Sequence, residues 1–87
     1  MTCALLHLAT YRRLRHLQPD HFARRVRLRA RAAGCTVAEA QFVGEQARVA
    51  ALAGEETRWD ILTRTAALAA ALAEGRAQLP PEAEALP

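Results

Sequence analysis

The stretch Arg-Arg-Val-Arg-Leu-Arg-Ala-Arg, residues 24–31, decides how this chain folds, since it holds five arginines in eight residues and no acid. Wound as an α-helix at about 100° per residue, it places Phe22, Val26 and Ala30 on one apolar arc and all five arginines outside that arc. Stretched as a β-strand, it turns alternate arginines to one face and the apolar residues to the other. The helix gives a basic surface on a bundle, and the strand gives a basic ribbon.

Local preferences favour the helix. Arg, Leu and Ala are good helix formers, whereas Ala30 and Ala32 fit poorly in a strand. Pro19 suits the first position of a helix, and Asp20 lies favourably near its positive end. Gly34 is placed to end the helix in the left-handed conformation. We therefore predict a helix over residues 19–33.

Apolar spacings and capping signals predict further helices. Leucines and other apolar residues recur at intervals of three and four along residues 2–17. Thr36-Val37-Ala38-Glu39 matches a capping box, and Gly54 and Gly75 are placed to end helices. The predicted fold is all-α, a small antiparallel bundle of three to four helices over about 2–17, 19–33, 36–53 and 55–74. Residues 1–75 form the predicted domain, and residues 76–87 are a predicted mobile acidic tail containing Pro and Glu.

The predicted core is thin. A chain of 87 residues forms one domain, and a domain of this size buries only about 60 to 65% of its unfolded surface. Of its 45 hydrophobic residues, 21 are alanine and 12 are leucine. Alanine favours helix but buries little area. A partner or a second copy of the chain could supply the missing burial.

Charge is divided unevenly along the chain. All twelve basic residues are arginine. Residues 1–35 carry eight arginines and one acid, formally +7, whereas residues 36–87 carry four arginines and eight acids, formally −4. The two halves could attract each other, within one chain or head to tail, or the basic half could meet an acidic partner.

The sequence offers little for catalysis or for binding a metal. It has no serine and no glycine cluster that could cradle a phosphate. Cys3 and His7 are four residues apart, but paired Cys-x-x-Cys spacing is missing, so a buried thiol and surface histidines are the simpler interpretation. We expect no enzyme activity, no catalytic, cofactor-binding or metal site, and no small-molecule substrate. The two cysteines indicate a reducing, cytoplasmic compartment, and no apolar run approaches the roughly 20 residues of a membrane span.

The leading hypothesis is therefore a small helical protein–protein interaction module, acting as an adaptor, co-chaperone or inhibitor. It would bind a partner protein, or itself as a homodimer, through exposed apolar helix faces and the Arg-rich helix. Aromatic and large apolar residues dominate such contacts. The predicted anchors are Leu8, Tyr11, Val43 and Trp59.

The alternative hypothesis is a DNA-binding protein. With residues 24–31 as a strand, the order strand, helix, glycine turn, helix over residues 24–74 resembles a ribbon-helix-helix repressor, and Thr57-Arg58-Trp59-Asp60-Ile61-Leu62 looks like the start of that family's second helix. The resemblance implies that Arg25, Arg27 and Arg29 read bases. With the segment as a helix, Ala30 and Gly34 are similar to a helix-turn-helix. In both versions the basic patch of Arg24, Arg25, Arg27, Arg29 and Arg31 binds nucleic acid.

Overall fold

The computed structural model describes residues 17–84, and this part of the chain is all-helical. Three main helices follow one another, α1 (Pro19–Ala32), α2 (Val37–Ala53) and α3 (Arg58–Ala73), and a single turn, α4, covers Pro81–Glu84. The all-α prediction is confirmed, and the strand interpretation of residues 24–31 is wrong because the whole segment lies inside α1. The predicted helix over residues 2–17 lies almost entirely outside the described residues.

Helix α1 starts and ends as its sequence predicts. Pro19 occupies its first turn, where a missing N–H costs nothing, and Asp20 lies beside it. At the other end the amide of Cys35 donates to the carbonyl of Ala30 at 3.0 Å, and the amide of Gly34 donates to Arg31 at 3.0 Å. This Schellman arrangement needs a left-handed residue, and Gly34 supplies it with φ of 106°.

Helix α2 begins with the predicted capping box. The amide of Glu39 donates to the Thr36 hydroxyl at 3.1 Å, and the Glu39 carboxylate accepts from the Thr36 amide at 2.8 Å. The helix ends at Gly54, whose amide donates to Ala50 at 3.3 Å. Two otherwise unpaired groups at the start of α2 are thereby satisfied.

Helix α3 begins later than predicted. Its N-cap is Thr57, whose hydroxyl accepts from the amide of Asp60 at 3.1 Å, so Glu55 and Glu56 precede the helix instead of forming its first turn. Threonine is the better cap because its oxygen reaches an unpaired amide one turn ahead. The predicted start at residue 55 is therefore corrected to Arg58.

Helix α2 packs against both other helices, most extensively against α1, and α1 and α3 also contact each other. Its contact with α1 is close, because a Cβ on Gly44 would overlap the Arg27 side chain and lie 3.2 Å from the Ala23 carbonyl oxygen. Small residues recur at spacings of four, three and four along α2, at Ala40, Gly44, Ala47 and Ala51, all of them buried. The rest of the core comes from Val43 of the same helix, from α1 and α3, and from the loop after α1: Phe22, Val26, Ala30, Cys35, Ile61, Leu62, Ala69 and Leu72. No described helix is long and apolar enough to cross a membrane.

Candidate interaction surface

Arg58 fastens the start of α3 to α1 and α2. Its guanidinium carbon lies 5.4 Å from the centre of the Phe22 ring. Nη1 donates to the Ala51 carbonyl at 3.4 Å, and Nη2 donates to the Leu17 carbonyl at 3.3 Å. Nε is buried and has no hydrogen-bond partner among the described residues. Cation–π contact and carbonyl acceptors therefore hold this charge in place of a carboxylate.

A second contact joins the other ends of α1 and α3. The Cys35 thiol donates to the carbonyl of Ala69 at 3.2 Å. Burial, and then the nearby carboxylate of Glu39, raise the pKa of Cys35 above its ordinary value, so the group stays a protonated donor. Because the start of α1 meets the start of α3 and the end of α1 meets its later turns, the two helices run side by side in the same direction.

An apolar groove runs between α1 and α3. We call it the α1–α3 groove, and its volume is about 110 Å³. Its walls carry apolar side chains, one threonine and one charged residue: Val26, Arg29, Ala30, Ala33, Leu62, Thr65, Ala66 and Ala69. Thr65 is fully buried, and its hydroxyl donates back to the Ile61 carbonyl at 2.7 Å. The Thr65 hydroxyl thus has its hydrogen-bond partner within α3, and apart from Arg29 the groove offers an apolar surface.

The five arginines of α1 differ in their contacts and in their exposure to solvent. Arg31 donates to the Cys35 carbonyl at 2.8 Å, in the loop that follows α1. Arg27 is half-buried, with its methylenes against Gly44. Arg24, Arg25 and Arg29 are exposed and form no hydrogen bond or ion pair with another described residue. Three arginines of the predicted patch therefore remain available to a ligand.

Three glutamates that follow α1 form ion pairs with arginines nearby in the sequence. Glu45 pairs with Arg48 at 2.6 Å, Glu56 with Arg64 at 2.9 Å, and Glu74 with Arg76 at 2.6 Å. The hydrogen bond from Arg48 lowers the pKa of Glu45 below its ordinary value. Within residues 17–84 no acid forms an ion pair with an arginine of α1, although the charge of Arg27 also contributes to lowering the pKa of Glu45.

The structure describes two of the four predicted anchors. Leu8 and Tyr11 lie outside the described residues. Val43 is fully buried in the core and is not an exposed anchor, because its side of α2 faces α1 and α3. Trp59 is half-buried and packs against the core, near one end of the α1–α3 groove, since it precedes Leu62 by one turn of α3.

Sequence reasoning missed several exposed apolar side chains and the role of Arg58. Leu28 and Val37 are 61% and 57% exposed and line a shallow depression beside Arg27 and Arg31. Val49 and Leu52 are 54% and 61% exposed on α2. Val49 and Leu52 are three residues apart and therefore lie on one side of α2, a spacing that can be read from the sequence. Arg58 gave no signal, because its partners are carbonyl groups and a ring distant in sequence.

Comparison with protein-family models, with curated proteins and with solved structures finds no match to this chain. Among residues 17–84, no three His, Cys, Asp or Glu side chains lie together as metal ligands would.

Proposed function

We propose that this chain is a helical protein–protein interaction module, an adaptor, co-chaperone or inhibitor, that binds its partner at the α1–α3 groove. The observation that carries the proposal is an open apolar groove with an exposed arginine, Arg29, in its wall that forms no ion pair within residues 17–84. Partner helices commonly dock their apolar faces into such grooves, and complementary charge beside the groove adds specificity. Val26 and Leu62 form its floor, and the exposed Ala33 and Ala66 line its opening.

The groove alone is not enough for stable association. Burying one aliphatic side chain contributes about 1.5 to 3 kcal/mol, and a charge-assisted hydrogen bond contributes about 1.5 to 3 kcal/mol. Association costs at least about 4 kcal/mol in lost freedom. The contact must therefore extend beyond the groove, and the neighbouring Arg25 and the half-buried Trp59 are the nearest groups that could extend it.

Photo-crosslinking tests the proposal at single positions. Photo-leucine, a diazirine residue whose side chain is much smaller than a phenyl ring, replaces Ala66 in the groove or, as a matched control, its exposed neighbour Ala67. Irradiation in the native cells should give a protein adduct from position 66 and much less from position 67. An absence of adducts at position 66, and at Ala33 on the opposite wall, would count against an interaction function at this groove.

A second candidate function, nucleic-acid binding, is supported by the exposed and unpaired Arg24, Arg25 and Arg29. Guanidinium groups clamp phosphates and guanine edges. The resemblance to a ribbon-helix-helix repressor requires residues 24–31 to form a strand, and these residues are helical. The helix-turn-helix version has also weakened, because α1 and α2 still touch at Ala23 and Gly44, several turns from their connection, whereas that motif splays its helices apart.

Titration of a labelled DNA duplex at two salt concentrations tests this second function. Phosphate contacts predict an affinity whose logarithm falls linearly with the logarithm of salt concentration. The Arg24→Gln, Arg25→Gln and Arg29→Gln triple variant should then lower the slope by roughly the number of contacts removed. Failure to bind duplex at 50 mM salt would eliminate this function.

A further inference from the structure

The size of the α1–α3 groove limits what can enter it. A volume of about 110 Å³ is smaller than the roughly 150 Å³ of an engineered cavity that accepts benzene. It has room for about one aliphatic side chain. The lips at Ala33 and Ala66 carry only methyl groups, so the backbone that bears this side chain can approach closely. The occupant is therefore a chain segment with a single apolar anchor.

The walls of the groove also favour a helical occupant. They consist of side chains from two α-helices, whose backbone groups are already bonded within their own helices. An extended segment laid in the groove would bury its amide and carbonyl groups without partners, at a cost comparable to lost hydrogen bonds. An α-helix satisfies its own backbone. Two neighbouring helices with an apolar groove between them form a seat for a third.

Charge lies on only one side of the groove. Arg29 is in the α1 wall, and Arg25 is one turn earlier on the same side of α1. Both are exposed and unpaired among the described residues. The α3 wall contributes only Leu62, Thr65 and alanines. An occupant is thus attracted by charge along α1 and by apolar contact along α3.

We propose that the α1–α3 groove binds an amphipathic helix of another protein, which inserts one aliphatic side chain and presents acids four residues apart to Arg25 and Arg29. This inference rests on the proposed interaction function and names the chemistry of the partner. The four-residue interval follows from α1 itself, since Arg25 and Arg29 are about 6 Å apart along the helix axis. Guanidinium–carboxylate contacts are frequently bidentate, which fixes the register of the bound helix.

A synthetic helix tests the inference directly. The probe is an 18-residue alanine-based helical peptide with one central leucine and two glutamates four residues apart on the adjoining flank. Its matched control carries glutamine at both glutamate positions. In fluorescence anisotropy the glutamate peptide should bind with submillimolar affinity, and the glutamine peptide should bind at least fivefold more weakly.

Matched protein variants locate the bound peptide. Ala66→Phe fills the groove and should weaken binding at least tenfold, whereas Ala67→Phe, at an exposed neighbour, should not. Arg29→Gln should abolish the preference for glutamate, whereas Arg24→Gln, on another side of α1, should retain most of it. Circular dichroism checks each fold, and Ala33→Phe fills the groove from α1 should Ala66→Phe unfold.

The possible results separate the two proposals. Position-specific crosslinks at Ala66 without preference for the glutamate peptide would overturn this inference and leave the interaction function standing. If Ala66→Phe and Ala33→Phe both leave the peptide affinity unchanged, the peptide binds elsewhere, and that result would overturn the inference as well. Crosslinks between two copies of this chain, with a dimer in sedimentation, would make the occupant a second copy. That outcome also overturns the inference.

Discussion

At the residue scale, Gly44 shows how closely α1 and α2 approach. A Cβ at this position would overlap Cγ of Arg27 and lie 3.2 Å from the Ala23 carbonyl oxygen. Overpacking of this kind costs about 1 to 3 kcal/mol, while alanine in place of a helical glycine gains about 1 kcal/mol. We predict that Gly44→Ala lowers the free energy of unfolding by up to about 2 kcal/mol, measured by urea denaturation.

The control for Gly44→Ala is its combination with Arg27→Ala, which removes the overlapping methylenes. The double variant should lose less stability than the sum of the two single variants, because part of the clash is relieved. The Ala23 oxygen belongs to the backbone and stays in place, so relief is incomplete. Stabilisation by Gly44→Ala alone would contradict the close approach.

Cys35 gives the fold a dependence on alkaline pH. Burial and the Glu39 carboxylate raise the pKa of the folded thiol, so the folded state holds its proton at pH values where the unfolded state has lost it. Stability from this group is complete below the unfolded pKa of about 8.5 and falls as pH rises towards the folded pKa. Urea denaturation should therefore show lower stability at pH 9.5 than at pH 7.5.

In this experiment Cys3→Ser provides the background, so that Cys35 is the only thiol. Adding Cys35→Ala should reduce the dependence on pH, and the difference between the two proteins isolates the thiol. An equal loss of stability in both would assign the effect to other groups.

At the scale of the helix, the N-caps offer the sharpest comparison. Thr57 caps α3 through its hydroxyl, and replacing such a cap with alanine costs about 0.5 to 2 kcal/mol. We predict a loss of about 1 kcal/mol for Thr57→Ala, measured by thermal or urea denaturation. Thr63→Ala is the control, since the exposed Thr63 hydroxyl only bonds back to the Trp59 carbonyl within the helix. Equal losses in the two variants would argue against a capping role for Thr57.

The helices could largely be predicted from local signals, whereas the roles of their side chains could not. Pro19, Thr36 and Gly34 act within a few residues of themselves, so the ends of α1 and the start of α2 were readable. The cap at Thr57 is an equally local signal, since a threonine three residues before an acid is typical of a helix start. The burial of Val43 is not local, because it depends on which side of α2 meets α1 and α3. The partial burial of Arg27 could not be predicted either, because it depends on the glycine that α2 places beside its methylenes.

For the molecule as a whole, arginine is used in two ways. Arg58 is held among Phe22 and two carbonyl groups at the junction of three elements, and it aligns α1 with α3. Arg24, Arg25 and Arg29 make no such contact with the described residues. The groove could not be predicted from the sequence, because it exists only where Arg58 and Cys35 set α1 and α3 side by side.

This division predicts opposite behaviour for two sets of variants. Changing Arg24, Arg25 and Arg29 to glutamine removes three charges and takes the formal net charge from +3 to 0. Glutamine retains helix propensity, and the lost dipole interaction of Arg29 is offset by relief of like-charge repulsion between Arg25 and Arg29. We expect the free energy of unfolding to change by less than about 0.5 kcal/mol.

Arg58→Gln should cost about 1 to 3 kcal/mol, because a stacked cation and two hydrogen bonds are lost together. Urea denaturation at low and high salt measures both. Unfolding of the triple variant would mean that these arginines support the fold, and they would then no longer be available to a partner helix or to nucleic acid.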